Sequence, residues 1–382
     1  MKIGIITILK VNNYGAELQA FALRHKLELM GYNAIIIDYL YYKNKNHIRE
    51  RISKPIIPLS LAQKAKEMLY PLMNEVLSIF NYRSNIAREE KFEEFHKKYS
   101  KLTSRTYPSY SELYNEVFDF DVYCVGSDQV WNPTNNTSLN PYFLTFAPKG
   151  KRKIAYASSF GISIFPDAFK KLLPKLLSDF DFVSVREKTA ANNIKEIANK
   201  NAEVVLDPTL LLTKSEWLDV ANSNILPSYP YLLIYNVSKS NFATKLAVDI
   251  AKIKNLKVVR LCINPYRDDY NSEISNIVDA GPSEFVALFS AASFIVTNSF
   301  HGTAFAVNFN KPFFSVINHS KINNSRQKDF LDSLGLSNRI IIETKIFSTR
   351  DVDCLIDYDI VNSLLEIQKT NSVNFLRESI TI

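Results

Sequence analysis

The feature that most limits the fold of this chain is a unit that occurs twice. "KIGIITIL", "KVNNYG", "AELQAFALRHKLELMG" and "NAIIIDY" read as strand, loop, helix and strand. Far downstream, "YLLIYNV", "SKSN", "FATKLAVDIAKIKN" and "LKVVRLC" repeat that order over a similar length. Leu18, Phe21, Ala22 and Leu29 fall on one helical stripe in the first unit, and Leu246, Ile250 and Ile253 do so in the second. Strands joined through a helix pair in parallel, so each unit opens a parallel sheet. "VYCVG", "KIAYASS" and "FVSVR" extend the first sheet, and "FIVTN" and "PFFSVI" extend the second. The expected class is α/β: two domains with helices on both sheet faces, facing across a cleft.

The length supports two cores, because 382 residues exceed the size at which a single core usually stops growing. Residues 1–215 are the expected N-terminal domain, with a basic helical excursion at about 43–100; 225–345 form the second, and 346–382 a closing helix with Asp359 near its N-cap. A hydrophobic share of 46% and a charged share of 22% are those of an ordinary globular protein, which excludes extensive disorder. "MKIGIITILKV" reads as a first strand rather than a signal peptide, and no window approaches the roughly 18 apolar residues of a membrane span. Cys124, Cys262 and Cys354 are odd in number and widely spaced, which suits buried thiols in a reducing cytoplasm.

The net charge of +7 is unevenly spread. Lys43, Lys45, Arg49, Arg51, Lys54, Lys64 and Lys66 crowd one segment, followed by the apolar "MLYPLMNEVLSIF". Such a pair can lie on an anionic membrane surface, but the reading it favours is a solvated helical excursion with its apolar face turned to the core. No nucleic-acid-binding signature accompanies the charge, so no nucleic acid partner is expected.

Ligands of open α/β sheets bind beyond the carboxyl ends of the strands, so the turns there carry the candidates. They are "NNYGA", "GSDQVWNP", "SSFG", "RE" and "NSFHG". Small residues let backbone N–H groups approach an oxyanion, and a following helix adds its positive end. No Walker A motif and no G-x-G-x-x-G is present, which argues against a P-loop ATPase and a usual dinucleotide enzyme. The five histidines give no H-x-x-x-H pair. Asp119 with Asp121, and Asp179 with Asp181, read as turn and cap residues, so no metal is expected. The chemistry narrows to His301, Arg186 and Asp128. His301 is a candidate acid or a turn-stabilising group; Arg186 can fork onto a carboxylate or phosphate, or pair structurally with Glu187 or a nearby loop; Asp128 can accept a hydroxyl proton or form an Asx-turn.

"NNYGAELQAFAL", "VGSDQVWNP", "YASSFG", "SVRE", "VLDPTLLL" and "NSFHGTAFAVNFNKPF", in this order, resemble the polysaccharide pyruvyl transferases from residue 1 to about residue 340. The resemblance implies two Rossmann-like domains in the arrangement of the GT-B glycosyltransferases. It also implies transfer of a pyruvyl group from phosphoenolpyruvate to a sugar as a cyclic ketal, with phosphate released and no further cofactor. In the family the histidine of the "HG" turn and the arginine of the "VRE" turn are associated with donor binding and catalysis; here these are His301 and Arg186. Many members carry arginine where this chain has Ser299, and Arg326 is the candidate substitute. Asn13, Tyr14, Gly15, Ser159, Asn298, Ser299 and Gly302 complete the expected donor-binding turns. The expected acceptor is a polysaccharide sugar or its lipid-linked precursor, met in the cytoplasm or at the inner face of the bacterial membrane. A GT-B glycosyltransferase using a nucleotide sugar, and a catalytically silent sugar- or anion-binding protein, are the alternatives.

Overall fold

The computed structural model describes residues 1–58, 82–263, 272–318, 325–343, 352 and 355–381. Lys64, Lys66, "MLYPLMNEVLSIF" and Cys354 lie outside the described residues. The chain divides into two compact units, Met1–Glu75 with His96–Leu211 and Gln368–Ile382, and Val76–Phe95 with Leu212–Ile367.

The first unit holds a six-stranded parallel sheet: β1 (Lys2–Ile6), β2 (Asn33–Ile36), β3 (Val122–Val125), β4 (Arg152–Ser158), β5 (Phe182–Val185) and β6 (Glu203–Val204), in the order β2-β1-β3-β4-β5-β6. Helices α1 (Tyr14–Leu29), α2 (Tyr82–Tyr99), α3 (Tyr110–Tyr114), α4 (Asp167–Leu177) and α5 (Lys188–Ala198) interleave with these strands in sequence, although α2 belongs to the second unit as far as Phe95. β3 is buried at every position, as the apolar run "VYCV" requires of a strand covered on both faces. Within it, burial pushes the Cys124 thiol up to about 12, leaving an inert core group. α1 is buried almost all round as far as Arg24, and its expected stripe holds at Leu18, Phe21 and Ala22. Leu29 instead lies at the solvent end, 54% exposed, because the helix outruns the sheet it covers.

The second unit carries β7 (Tyr231–Tyr235), β8 (Lys257–Leu261), β9 (Ile274–Ile277), β10 (Phe294–Thr297), β11 (Phe313–Ile317) and β12 (Ile340–Ile342), all parallel, in the order β12-β11-β10-β7-β8-β9. Its helices are α6 (Lys214–Leu218), α7 (Asn241–Lys254), α8 (Pro282–Ala291), α9 (Phe300–Asn308) and α10 (Ser325–Ser333). Leu246 and Ile250 are buried in α7, whereas Ile253 is 44% exposed in the last turn. The closing helix α11 (Tyr358–Ile380) is capped by Asp357, whose Oδ1 accepts the N–H groups of Asp359 and Ile360, so Asp359 lies near the N-cap in the first turn. Its second half covers the first sheet: Ser372 Oγ accepts Leu206 N–H at 3.0 Å, and Arg152 Nη1 donates to Thr381 O at 2.7 Å.

Both sheets contain a reversal of strand order, between β1 and β3 in the first and between β7 and β10 in the second. Such switch points open a crevice at the carboxyl ends of the two strands, because consecutive connections leave to opposite faces.

Candidate active site

At the first switch point the turn after β1 contains two non-glycine residues in the left-handed region, Lys10 (φ 56°) and Asn12 (φ 52°). Asn13 then caps α1, its Oδ1 accepting Ala16 N–H at 3.1 Å. Tyr14 and Gly15 are buried in the first helical turn. Across the switch, Thr7 Oγ1 donates to Ser127 O at 3.0 Å, and Gln19 Nε2 of α1 donates to Thr7 Oγ1 at 2.9 Å. The β3 turn is thereby tied to β1 and to the start of α1.

Asp128 follows with φ 69°, and opposite it β4 bulges at Ala157, φ 52°. Each left-handed non-glycine costs about 1–2 kcal/mol and persists because its surroundings over-determine it. Asp128 O accepts Ser159 N–H at 3.0 Å, Ser127 Oγ donates to Ala157 O at 2.9 Å, and Ala157 N–H donates to Ser184 Oγ at 3.1 Å. The strain sits where the turns after β3, β4 and β5 meet.

Arg186 lies at their centre. Its Nη1 donates to Asp207 Oδ2 at 2.6 Å, and its Nη2 lies 3.6 Å from Asp128 Oδ1. Asp207 Oδ2 also accepts from Ser127 Oγ at 3.0 Å, while Oδ1 accepts from Thr209 N–H and Oγ1. Ser159 Oγ donates to Glu187 Oε1 at 2.6 Å. Burial opposes the charge of Arg186, but the carboxylates of Asp207, Glu187 and Asp128 outweigh it and raise the guanidinium further. The structure thus brings Asp128, Ser159 and Arg186 together and adds Asp207. Its Asp-Pro step reads locally as a helix cap, which it is through Oδ1, so nothing in the local pattern reports that Oδ2 faces Arg186.

A second buried pair lies behind Asn13. Glu17 in the first turn of α1 accepts Val11 N–H at 3.2 Å, and its Oε2 lies 3.3 Å from His96 Nε2. Burial raises Glu17 to about 8, opposed by the Val11 and Lys10 N–H groups and the Lys10 charge, with Asp38 adding to the rise. Burial, with help from Lys10 and against Asp38, lowers His96 to about 4. Both shifts favour the uncharged form of the pair near neutral pH. Glu17, raised in the folded chain, contributes stability that is present below about 4.5 and is lost as pH rises through about 8. His96, depressed, contributes stability that is present above about 6.5 and is lost as pH falls toward 4. The two slopes oppose each other below pH 6.5, and only the Glu17 slope remains above it. Stability is expected to fall by about 1 kcal/mol between pH 6.5 and 8. Glu17→Gln should flatten this decline in urea midpoints, and an unchanged slope would remove Glu17 as its source.

The second switch point is stapled by Asn298, whose Oδ1 accepts Val237 N–H at 2.9 Å and whose Nδ2 donates to Ser238 O at 2.7 Å. Ser299 is the N-cap of α9: its Oγ accepts Gly302 N–H at 3.3 Å, and its carbonyl accepts Thr303 N–H. Gly302 is required by packing, since a Cβ there would lie 2.3 Å from Thr297 Oγ1. His301, 8% exposed, sits between these two residues in the first turn. Thr303 Oγ1 lies 2.9 Å from Ser315 Oγ, which accepts from Gln327 Nε2 at 3.2 Å, so α10 is sutured to α9. That suture places the Arg326 guanidinium over the Phe300 ring, 5.9 Å from its centroid, and Phe300 in turn meets His301 edge-on at 5.4 Å. Arg326 therefore shares the turn of His301, where Ser299 is occupied as a cap.

Among the described residues no group of three His, Cys, Asp or Glu side chains is arranged to hold a metal ion, and no helix is long and apolar enough to cross a membrane. Among solved structures, the chain is similar to the UDP-GlcNAc 2-epimerase from Neisseria meningitidis (11% identity, 100% of this chain and 99% of that one, TM-score 0.49). It is also similar to the UDP-GlcNAc 2-epimerase from Methanocaldococcus jannaschii (13%, 97% and 93%, TM-score 0.47) and the E. coli ADP-heptose LPS heptosyltransferase II (13%, 97% and 100%, TM-score 0.36). No curated protein matches the sequence. The family model for polysaccharide pyruvyl transferase matches residues 13–320, from the cap of α1 to beyond β11 and across both switch points, and the chain belongs to that family of transferases.

Proposed function

We propose that the chain moves the pyruvyl group of phosphoenolpyruvate onto two hydroxyls of a sugar, in a cell-surface polysaccharide or its lipid-linked precursor, as a cyclic ketal. The observation that carries this reading, given the family, is the turn at the second switch point, where a histidine and an arginine stand at the N-terminus of α9. A doubly anionic donor suits that combination, because the helix end and the guanidinium both favour negative charge.

His301 is the acid that protonates the methylene carbon of the donor. The first sugar hydroxyl then adds to the cationic carbon, giving up its proton to Asp128, whose side chain is partly open at 16% exposure. The carbon–oxygen bond to phosphate breaks, and the second hydroxyl closes the ring. Of the two hydroxyl protons, one balances the proton given to the methyl group and the other leaves with phosphate. Arg326 takes the place of the arginine missing at Ser299 and holds the donor. Arg186, engaged with Asp207 and beside Asp128, braces the base rather than the leaving phosphate.

Incubating the protein with phosphoenolpyruvate and a panel of galactosides and mannosamine derivatives should release phosphate, and phosphoenolpyruvate alone should raise the melting temperature. Protection by a nucleotide diphosphate sugar and not by phosphoenolpyruvate would move the reading to a glycosyltransferase. Donor binding with no phosphate release on any acceptor would leave a binding protein. The work takes place at the inner face of the membrane if the acceptor is lipid-linked.

A further inference from the structure

Residues 42–58 leave the carboxyl end of β2 as a series of turns carrying five cations, Lys43, Lys45, Arg49, Arg51 and Lys54, against one acid, Glu50. The inner side of this loop is pinned. Asn44 Nδ2 donates to Lys10 O at 2.6 Å, Arg49 Nη2 donates to Asn136 Oδ1 at 2.8 Å, and Ser53 Oγ lies 3.3 Å from Thr137 Oγ1. Glu50 is held to the start of α3, accepting from Ser111 N–H and Oγ at 2.8 Å. The outer side then presents exposed cations together with two isoleucines, Ile48 at 54% and Ile52 at 66% exposure. Apolar side chains set among five cations, with the single acid engaged by Ser111, match the interface of an anionic bilayer: the charges meet headgroups and the isoleucines enter the acyl boundary.

We propose that this loop is the surface by which the chain docks on anionic lipid. Its anchors place it beside the candidate site, since Lys10 belongs to the turn before Asn13, and Asn136 and Thr137 belong to the loop that begins at Asp128. Docking there would bring the first switch point to the membrane face where a lipid-linked acceptor lies. Only that consequence rests on the reading under Proposed function; lipid binding itself does not.

The full chain is mixed with phosphatidylcholine vesicles with and without phosphatidylglycerol, at low and high salt, and sedimented. Binding is expected to the anionic vesicles alone and to be lost at high salt. Each cation near the surface contributes about fivefold, so Arg51→Glu with Lys54→Glu should weaken binding at least tenfold. Ile48→Ser with Ile52→Ser should weaken it several-fold at unchanged charge, with phosphate release from a soluble sugar unaltered in both variants. Failure to sediment with anionic vesicles, equal binding to neutral ones, equal binding by the variants, or retention on RNA without vesicle binding overturns the proposal. Vesicle binding without any phosphate release would instead overturn the proposed activity and leave the docking surface standing.

Discussion

Asp207→Ala destabilises the first unit by about 3–5 kcal/mol. The substitution removes the partner that Arg186 bonds at 2.6 Å while the guanidinium, 2% exposed, stays where it is. Desolvation disfavours that charge, and Asp207 is the largest of the attractions that offset it. The loss spreads further, because Oδ2 also receives Ser127 Oγ and Oδ1 caps the turn at Thr209. With Ser127 released, the left-handed Asp128 and Ala157 lose part of what holds them. Urea unfolding followed by tryptophan fluorescence gives the cost, Trp131 being a buried member of the core of the same unit. Replacing both partners, Asp207→Leu with Arg186→Met, should cost less than Asp207→Ala alone, since no buried charge is then left without its partner. A cost below about 1 kcal/mol for Asp207→Ala would mean that water reaches Arg186 and that the cluster is not a brace.

That cluster shows where reading a sequence stops. The central strands of both sheets are legible because each is covered on both faces and therefore written as an unbroken apolar run, as in "VYCV" and "FIVT". β6, β9 and β12 are not legible in the sequence, and all three are sheet edges. β6 has two residues, both exposed, and β9 is exposed at its two central positions, so neither carries a hydrophobic pattern to find. Leu29 and Ile253 misled for the complementary reason, since helical periodicity continues past the end of the surface it covers.

The site divides in the same way. His301 could be placed from an apolar strand running into a small-residue helix, a local signal. Asn298 and Ser299 could be placed in the same turn, yet their tasks as staple and cap depend on Val237, Ser238 and Gly302 and emerge only in three dimensions. The partner of Arg186 lay 21 residues away beyond β6, and no spacing rule connects the two. Arg326 required a suture through Ser315 to reach Phe300, which is likewise tertiary.

His301→Ala is expected to slow phosphate release by about a hundredfold or more, the usual contribution of a positioned acid. The turn should survive the change. Ser299 keeps its bond to Gly302 N–H, Gly302 keeps its contact with Thr297, and Asn298 keeps its hold on the β7 turn, none of which involves the imidazole. The variant should therefore melt close to the parent and still be protected by phosphoenolpyruvate, since the helix end and Arg326 remain. Loss of turnover with retained protection separates an acid from a merely structural ring, which would lose both together. The pH profile adds a second readout: the limb that follows protonation of the acid should vanish in the variant. Arg326→Ala should do the reverse, raising KM for the donor more than it lowers kcat, because a cation that only holds the donor acts equally on ground and transition states. Full activity in His301→Ala would withdraw the acid from this turn, and with it the assignment of the second switch point as the place where the carbon is protonated.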